Sequence, residues 1–547
     1  MTTNVEKSNH FNNVFQEVFV QDDGRNLITP RSPQAFISNI EFNEQMIFRA
    51  LMNLSPKIST TPDQIPGYAL KQISISIIPF LTHFFNLTML TGILPWQWRT
   101  AIVCPIHKRG SRSSAKNYRP ISLTSAICRL MEMIIKDIII NHIYEHHLIS
   151  EHQHGFLPGR TTATQLLKAL NDWTTAYENN DTTHVVYTDF AKAFDKVSHV
   201  KLLKILHSYG IDGKILGWVR AFLIDRSQRV QIRGTLSSSL KVTSGVPQGS
   251  VLGPLLFLLY IEDLKNCTVN NCQLSLFADD SKVYSTDPDS LQESLNNLNN
   301  FTLDRQIVLA AEKCKHLCIS RNPSNLVFSI DGYTIDTSTQ IVDLGVMVSS
   351  NLKWSPQISQ MKAKAFIRCF QIFNSFSTKN LWVLKKAYLI YVRPLIEYNS
   401  ILWNPHQIKD VRDLESVQRY FVKTMCRRAN LPKSSYLERL RWINIETLEY
   451  RRVKFDLIFF FKILRGLIDL PFESMFSFYS SPYQLRHHEY TLKTNIYHSN
   501  IRKFFFSNRI VPIWNKLPES IVKSSTLSEF KRKLNDIDLR RLTTLVF

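Results

Sequence analysis

The chain has 547 residues, 44% of them hydrophobic and 20% charged, a balance that places it among globular proteins with room for several packed subdomains. Its 66 Lys and Arg outweigh 45 Asp and Glu, a net charge of +21 that suits a polyanionic partner but by itself also fits a basic protein with no such role. Eight cysteines are scattered without a Cys-x-x-Cys pair, which excludes a zinc knuckle or a disulfide framework as the organising principle and makes a reducing compartment the default.

Met1 is followed by polar residues rather than a signal peptide, so a secreted protein is not expected. Residues 1–90 read as a mostly helical extension, interrupted by a loop from Ser55-Pro56 to Pro66-Gly67. From Gln72 to Trp98 there is no Asp, Glu, Lys or Arg, enough to span a bilayer. Because Ile73, Ile77, Phe80, Phe84 and Leu87 recur at helical spacing beside Pro79, His83 and Asn86, a buried amphipathic helix is favoured, with no membrane partner. Leu130–Leu148 reads as another amphipathic helix. It carries His142 and His146 at i, i+4 spacing, near His147, His152 and His154, and without neighbouring cysteines a metal site is not favoured there.

His184–Asp195 begins as a β-rich strand and ends as a helix start, with Asp189 at the strand's C-terminal end. In Thr243–Tyr260, Gly245, Gly249 and Gly253 are expected to let the backbone approach a base pair closely, and the apolar run after Pro254 reads as a buried helix behind that loop. Gln273–Ala278 and Ser281–Tyr284 read as short strands with Asp279 and Asp280 in the hairpin loop between them. Adjacent like charges repel unless a cation lies between them, although an ordinary solvated acidic turn is the alternative on these residues alone. Asp189 can converge on that pair, and three carboxylates suit hard magnesium, which takes oxygen ligands and shares them with substrate phosphates. Residues 356–430, rich in Leu, Tyr, Lys and Arg, read as helical, and a basic helical region follows. Its last segment, Ile501–Phe547, has ten Lys/Arg against four Asp/Glu, interleaved with Phe504, Phe505, Phe506 and Trp514, which either stack bases or form a core.

The order of acidic strand, Pro247-Gln248-Gly249 loop and Phe277-Ala278-Asp279-Asp280 hairpin resembles the palm motifs of reverse transcriptases, in the wording of non-LTR (LINE, jockey-like) retrotransposon enzymes. Upstream, Leu94-Pro95-Trp96, Cys104-Pro105-Ile106-His107-Lys108, Asn117-Tyr118-Arg119-Pro120 and Gln153-His154-Gly155-Phe156 resemble that family's fingers motifs. Downstream, Glu312-Lys313-Cys314, Asp343-Leu344-Gly345, Arg393-Pro394-Leu395-Ile396-Glu397-Tyr398, Glu415-Ser416-Val417-Gln418-Arg419 and Phe506-Ser507-Asn508-Arg509 resemble its palm-closing, thumb and C-terminal segments. The resemblance spans roughly residue 40 to the end. It implies an α+β right-hand polymerase: a helical extension over 1–90, fingers and palm over 91–350, a helical thumb over 351–430 and a basic helical domain over 431–547.

The same resemblance implies the roles. Asp189, Asp279 and Asp280 are the metal-binding triad for two Mg2+ ions, with Mn2+ as a substitute. Phe194, five residues after Asp189, is the bulky gate that rejects a 2′-hydroxyl, and Phe190 and Gly249 adjoin the nucleotide. Gln248 bridges incoming nucleotide and template, Lys108 and Arg119 grip the triphosphate, and Lys313 protonates pyrophosphate. Two positions depart from the family pattern: Leu157 stands where an Arg usually follows Gly-Phe, and Ala310-Ala311 replaces a common Asn-containing turn. The activity implied is RNA-directed DNA polymerisation, with an RNA template, a DNA primer or target and dNTPs as partners, in a nuclear or cytoplasmic ribonucleoprotein. A catalytically silent or domesticated nucleic-acid-binding protein, or a palm polymerase making RNA, are the alternatives. With fewer than a hundred residues ahead of the fingers and no cysteine after Cys426, DNA cleavage is expected to come from a separate endonuclease.

Overall fold

The computed structural model describes all residues except 1, 2, 26, 28, 30–32, 56–60, 324, 481–487 and 540–547. Residues 56–60 of the loop expected from Ser55 to Gly67 and the last residues of the basic tail therefore lie outside the described residues. At the centre is a five-stranded sheet in the order Asp336–Thr337, Lys315–Ile319, Thr183–Thr188, Asp280–Ser285, Gln273–Phe277. Its pairings are antiparallel except for the edge strand Asp336–Thr337. The central strand, Thr183-His184-Val185-Val186-Tyr187-Thr188, is β-branched or aromatic at five of six positions and buried almost throughout, as a strand covered on both faces must be.

Successive side chains of a strand point to opposite faces, and here the two faces feed two different cores. Val186, Leu274, Leu276 and Val283 join a first core with Trp98, the Ala126–Glu145 and Gly253–Ile261 helices and the N-terminal helices. Val185, Tyr284, Leu317 and Ile319 join a second with the Thr162–Glu178 helix, the thumb helices and the C-terminal region as far as Leu539. These cores cut across the divisions at residues 90 and 430. Ile40, Phe42, Ile47 and Leu51 are continuous with the palm, and Phe421 and Val422 of the thumb share a core with Phe461, Trp514 and Phe530.

A second sheet is built from the segments expected to be the fingers. Thr100–His107 pairs antiparallel with Tyr118–Leu123 and parallel with Arg226–Ile232, and Leu240–Val242 pairs with the latter. The Asn4–Gln16 helix lies on this sheet, where Asn12 hydrogen-bonds Ser237 and Gln228.

Several sequence expectations are corrected. The chain after Asp189 makes turns, not a helix start, and the next helix is His199–Ser208. The charge-free stretch does form a helix, Ser74–Thr91, long and apolar enough to cross a membrane, but its buried face is Ser74, Ile78, Leu81, Phe85, Thr88 and Met89. Phe80, assigned to the buried stripe, is 74% exposed, because a nearly continuous apolar run offers more than one helical stripe and only the partner elements choose between them. His142 is a buried core residue whose ring nitrogen bonds the Tyr209 carbonyl at 2.8 Å. Phe505, Phe506 and Trp514 are buried in the second core, not presented to bases; Phe504 is half-buried and stacks on His406 at 4.1 Å.

Candidate active site

Strand register brings the carboxylates together. Thr188 pairs with Ser281 and Phe277 with Asp280, so Asp189 and Asp280 sit at the same end of neighbouring strands, with Asp279 in the turn between. The turn keeps the two residues that the sequence suggests but is shifted by one: Ala278 and Asp279 form the connection and Asp280 already belongs to its strand. Ala278 adopts φ +55°, a conformation that favours Gly, Asn or Asp. The fingers segment Gln153-His154 holds it from outside. Gln153 Oε1 accepts from the Ala278 N–H at 2.9 Å, and the His154 N–H donates to the Leu276 carbonyl.

The electrostatics are those of crowded anions. Protein packed around the Asp280 carboxyl, and then the charges of Asp279, Asp343 and Asp189, push its pKa up to about 6, although the residue has an exposed edge. Asp279 is raised for the same reasons, burial first and Asp189 second among the raising causes, while Lys108 and Arg119 pull it down. These two cations reach across from the fingers sheet. Arg119 lies on the strand paired with the one that Lys108 follows, opposite Ile106, and both side chains are exposed. Among the described residues neither forms a salt bridge. Lys313 Nζ lies 3.4 Å from Asp189 Oδ2, on a segment fastened to the Asp189 strand end by the Ala310 N–H bond to the Asp189 carbonyl. The Ala310-Ala311 departure therefore sits directly against Asp189.

Among the described residues no three His, Cys, Asp or Glu side chains already form a metal cage. Mg2+ fits the site nevertheless, because it keeps water and substrate oxygens in its shell and asks only one or two carboxylates of the protein, and the mutually crowded Asp279 and Asp280 would serve as such ligands.

Phe194 is half-buried, stacked on Phe257 at 4.3 Å and edge-on to Phe156 at 6.4 Å, so its ring is held from two sides. Phe190 is not beside it. Its ring is 4% exposed within the first core and supports the site from behind, because a side chain one residue after Asp189 points away from it. Two glycines in and before the Pro-Gln-Gly loop are required by the protein's own packing. At Gly245 (φ +88°) a Cβ would lie 2.8 Å from the Phe194 and Asp195 carbonyls, and at Gly249 (φ +123°) it would strike the Ser122 carbonyl. They let the loop press against the Phe194 turn and the Arg119 strand. Leu157 is buried, which explains the loss of the expected Arg as an exchange of a charged for a packed position.

Three groups escaped the sequence reading. Asp195, 8% exposed, accepts a hydrogen bond from Gln248 Nε2 at 2.8 Å, and burial pushes its carboxyl up to about 6. Lys282 and Asp343 form a buried ion pair behind the hairpin, with Gln165 Oε1 as a further acceptor. Phe257 is the partner of Phe194. The signals available were an Asp immediately after Phe194 and a Lys inside an apolar strand.

A sheet whose end gathers three carboxylates opposite two cations of a second sheet is the architecture of the right-hand fold class. Residues 106–354 match the family model described as reverse transcriptase (RNA-dependent DNA polymerase), so the chain carries a reverse transcriptase domain, the domain of a nucleotidyltransferase family that uses divalent metal ions. Among its relatives are RNA-directed DNA polymerases of transposons and mobile elements. It is 27% identical over 396 residues to the probable RNA-directed DNA polymerase from transposon BS of Drosophila melanogaster, covering 69% of this chain and 43% of the relative. It is 26% identical over 373 residues to that from transposon X-element of the same fly, covering 65% and 41%. The RNA-directed DNA polymerase from mobile element jockey is 26% identical over 314 residues, covering 55% and 34%. The chain thus spans about two fifths of the length of the first two relatives. Among solved structures, an apo telomerase from Candida tropicalis aligns over 50% of this chain and 59% of that one, with TM-score 0.34 and 12% identity.

Proposed function

We propose that the chain is the polymerase of a non-LTR retrotransposon, extending a primer 3′-hydroxyl with deoxynucleotides on an RNA template. The observation that carries this reading is the meeting of Asp189, Asp279 and Asp280 at one sheet end with Lys108 and Arg119 from the other sheet. Two bound Mg2+ ions would supply the activation of the 3′-hydroxyl and the neutralisation of the leaving pyrophosphate. Asp189, Asp279 and Asp280 would hold those ions. Lys108 and Arg119 bind the triphosphate, a point charge and a planar fork respectively. Phe194, backed by Phe257, excludes the 2′-hydroxyl, and Gln248 contacts the nucleotide beside its template base. Lys313, already within reach of Asp189, delivers a proton to pyrophosphate. A silent binding protein is disfavoured because all three carboxylates, the gate and Gln248 are present together. Domain limits follow the resemblance: extension to residue 90, fingers and palm to 350, thumb to 430, basic domain beyond. RNA template and DNA primer or target are the partners, and an endonuclease would supply the primer end.

Primer extension on a poly-ribonucleotide template with Mg2+ tests the reading. Extension with deoxynucleotides well above that with ribonucleotides is expected. Preferential ribonucleotide extension would reassign the chain to RNA synthesis.

A further inference from the structure

Gln248 sits on a loop that the rest of the fold fixes from two sides. Its carbonyl accepts from the Ser122 N–H at 2.7 Å, which ties the loop to the Arg119 strand. On the other side the Gly245 N–H donates to the Val197 carbonyl and the Val246 N–H to the Phe194 carbonyl, which ties it to the gate turn. Backbone ties settle where the Cα of Gln248 lies. They do not settle which end of a nearly symmetric carboxamide faces the site, since its oxygen accepts and its nitrogen donates.

One group does settle it. Asp195 Oδ1 accepts from Gln248 Nε2 at 2.8 Å, and a carboxylate cannot do the same for the amide oxygen. Asp195 is itself immobilised: its carbonyl accepts from Ser244 Oγ at 2.7 Å, and its N–H donates to the Lys192 carbonyl. Ser244 Oγ in turn accepts from the Val20 N–H of the N-terminal segment. The Asp195 side chain is 8% exposed, and among the described residues it has no salt-bridge partner, so the fold bears the cost of a buried carboxyl that serves one amide. Among the described residues Gln248 Oε1 receives no hydrogen bond from the protein and remains the free end of the side chain.

We propose that Asp195 is a positioning residue for nucleotide selection, holding the Gln248 carboxamide by its nitrogen so that Oε1 is presented as an acceptor to the incoming nucleotide. This rests on the assignment of the chain as a reverse transcriptase and deepens it. The step is a matter of orientation, with no bond made or broken at Asp195. A donor on the sugar or the base of the nucleotide is the chemistry Oε1 would recognise.

The test compares Asp195→Leu, Asp195→Asn, Gln248→Ala and the Asp195→Leu/Gln248→Ala double variant with the parental protein in primer extension. Leu keeps the site packed and removes a buried carboxyl, so the thermal midpoint should hold or rise. Asn keeps the size but can turn either end to Gln248. A single neutral hydrogen bond predicts a rise of roughly fivefold to tenfold in KM for the deoxynucleotide with kcat little changed. Asp195→Leu and Gln248→Ala should show this alike, Asp195→Asn to a lesser degree, and the double variant should be no worse than either single one. An Asp195→Leu protein with parental KM, or losses that multiply in the double variant, would overturn the proposal, as would a fall in kcat that tracks a lowered thermal midpoint. Failure of the broader assignment looks different: the parental protein itself would not extend the primer.

Discussion

Asp189 and Asp280 stand at the ends of adjacent strands, and Asp279 is carried by a turn whose first residue is forced to φ +55°. A strained turn that crowds anions persists only if the surroundings hold it, and Lys282 is part of that hold. Its ammonium is 2% exposed and paired with Asp343. Asp343→Ala leaves that charge buried and alone, so we expect a loss of about 3–5 kcal/mol in denaturant unfolding. A loss below about 1 kcal/mol would show that Lys282 finds water or another partner. The Phe194 ring carries the second residue-scale expectation. Phe194→Val opens space while Phe257 keeps the wall behind it, so ribonucleotide incorporation relative to deoxynucleotide should rise roughly tenfold or more. An unchanged ratio in a variant that still extends primers would remove Phe194 from sugar selection.

At the scale of elements, the motifs that carry chemistry were legible and the reasons for their neighbours were not. The hairpin strands and the strand leading to Asp189 follow from their β-rich composition, and the buried helix after Pro254 from its unbroken apolar run. That Gly245 and Gly249 lie against the backbone of Phe194, Asp195 and Ser122 could not be read, because a glycine in a sequence states only that something comes close. The C-terminal aromatics show the same limit: Phe505, Phe506 and Trp514 fill the second core with Phe460 and Phe476, whose partnership bridges distant parts of the sequence. Removal of Ile501–Phe547 would therefore expose that core, and single surface charges are the better probe of nucleic-acid binding. Lys503, Lys516 and Lys531 are exposed. Replacing all three with Gln should reduce the salt slope of template–primer binding by up to about one for each phosphate that a lysine neutralises, leaving the thermal midpoint unchanged. Equal slopes would assign nucleic-acid binding to other surfaces.

The palm sheet also has an acid-sensitive element. His184 and His316 stack at 5.3 Å on neighbouring strands, and burial lowers both, His316 to about 4. They stay neutral in the folded chain while the unfolded chain takes up protons below about 6.5. Their contribution is thus complete above that value and is lost as pH falls from there towards 4. Between about pH 7 and 5 the parental protein should lose more stability than a His316→Phe variant. A parallel decline in both would place the acid sensitivity elsewhere.

For the whole molecule, one sheet separates two cores, and its open end is where fingers cations meet palm carboxylates. The segment from Ile40 to Trp98 is built into the first core and the C-terminal region into the second, so the sheet that carries the proposed site is packed by residues on both sides of 106–354. The central claim is that the carboxylates at that sheet end perform nucleotidyl transfer. Its most direct test is Asp279→Asn, which removes one charge from a turn where like charges already repel and so leaves the fold intact. Measured side by side with the parental protein on an RNA template with Mg2+, the variant should bind template–primer with parental affinity and lose primer extension by roughly a hundredfold or more. Extension by the variant near the parental rate would contradict the account.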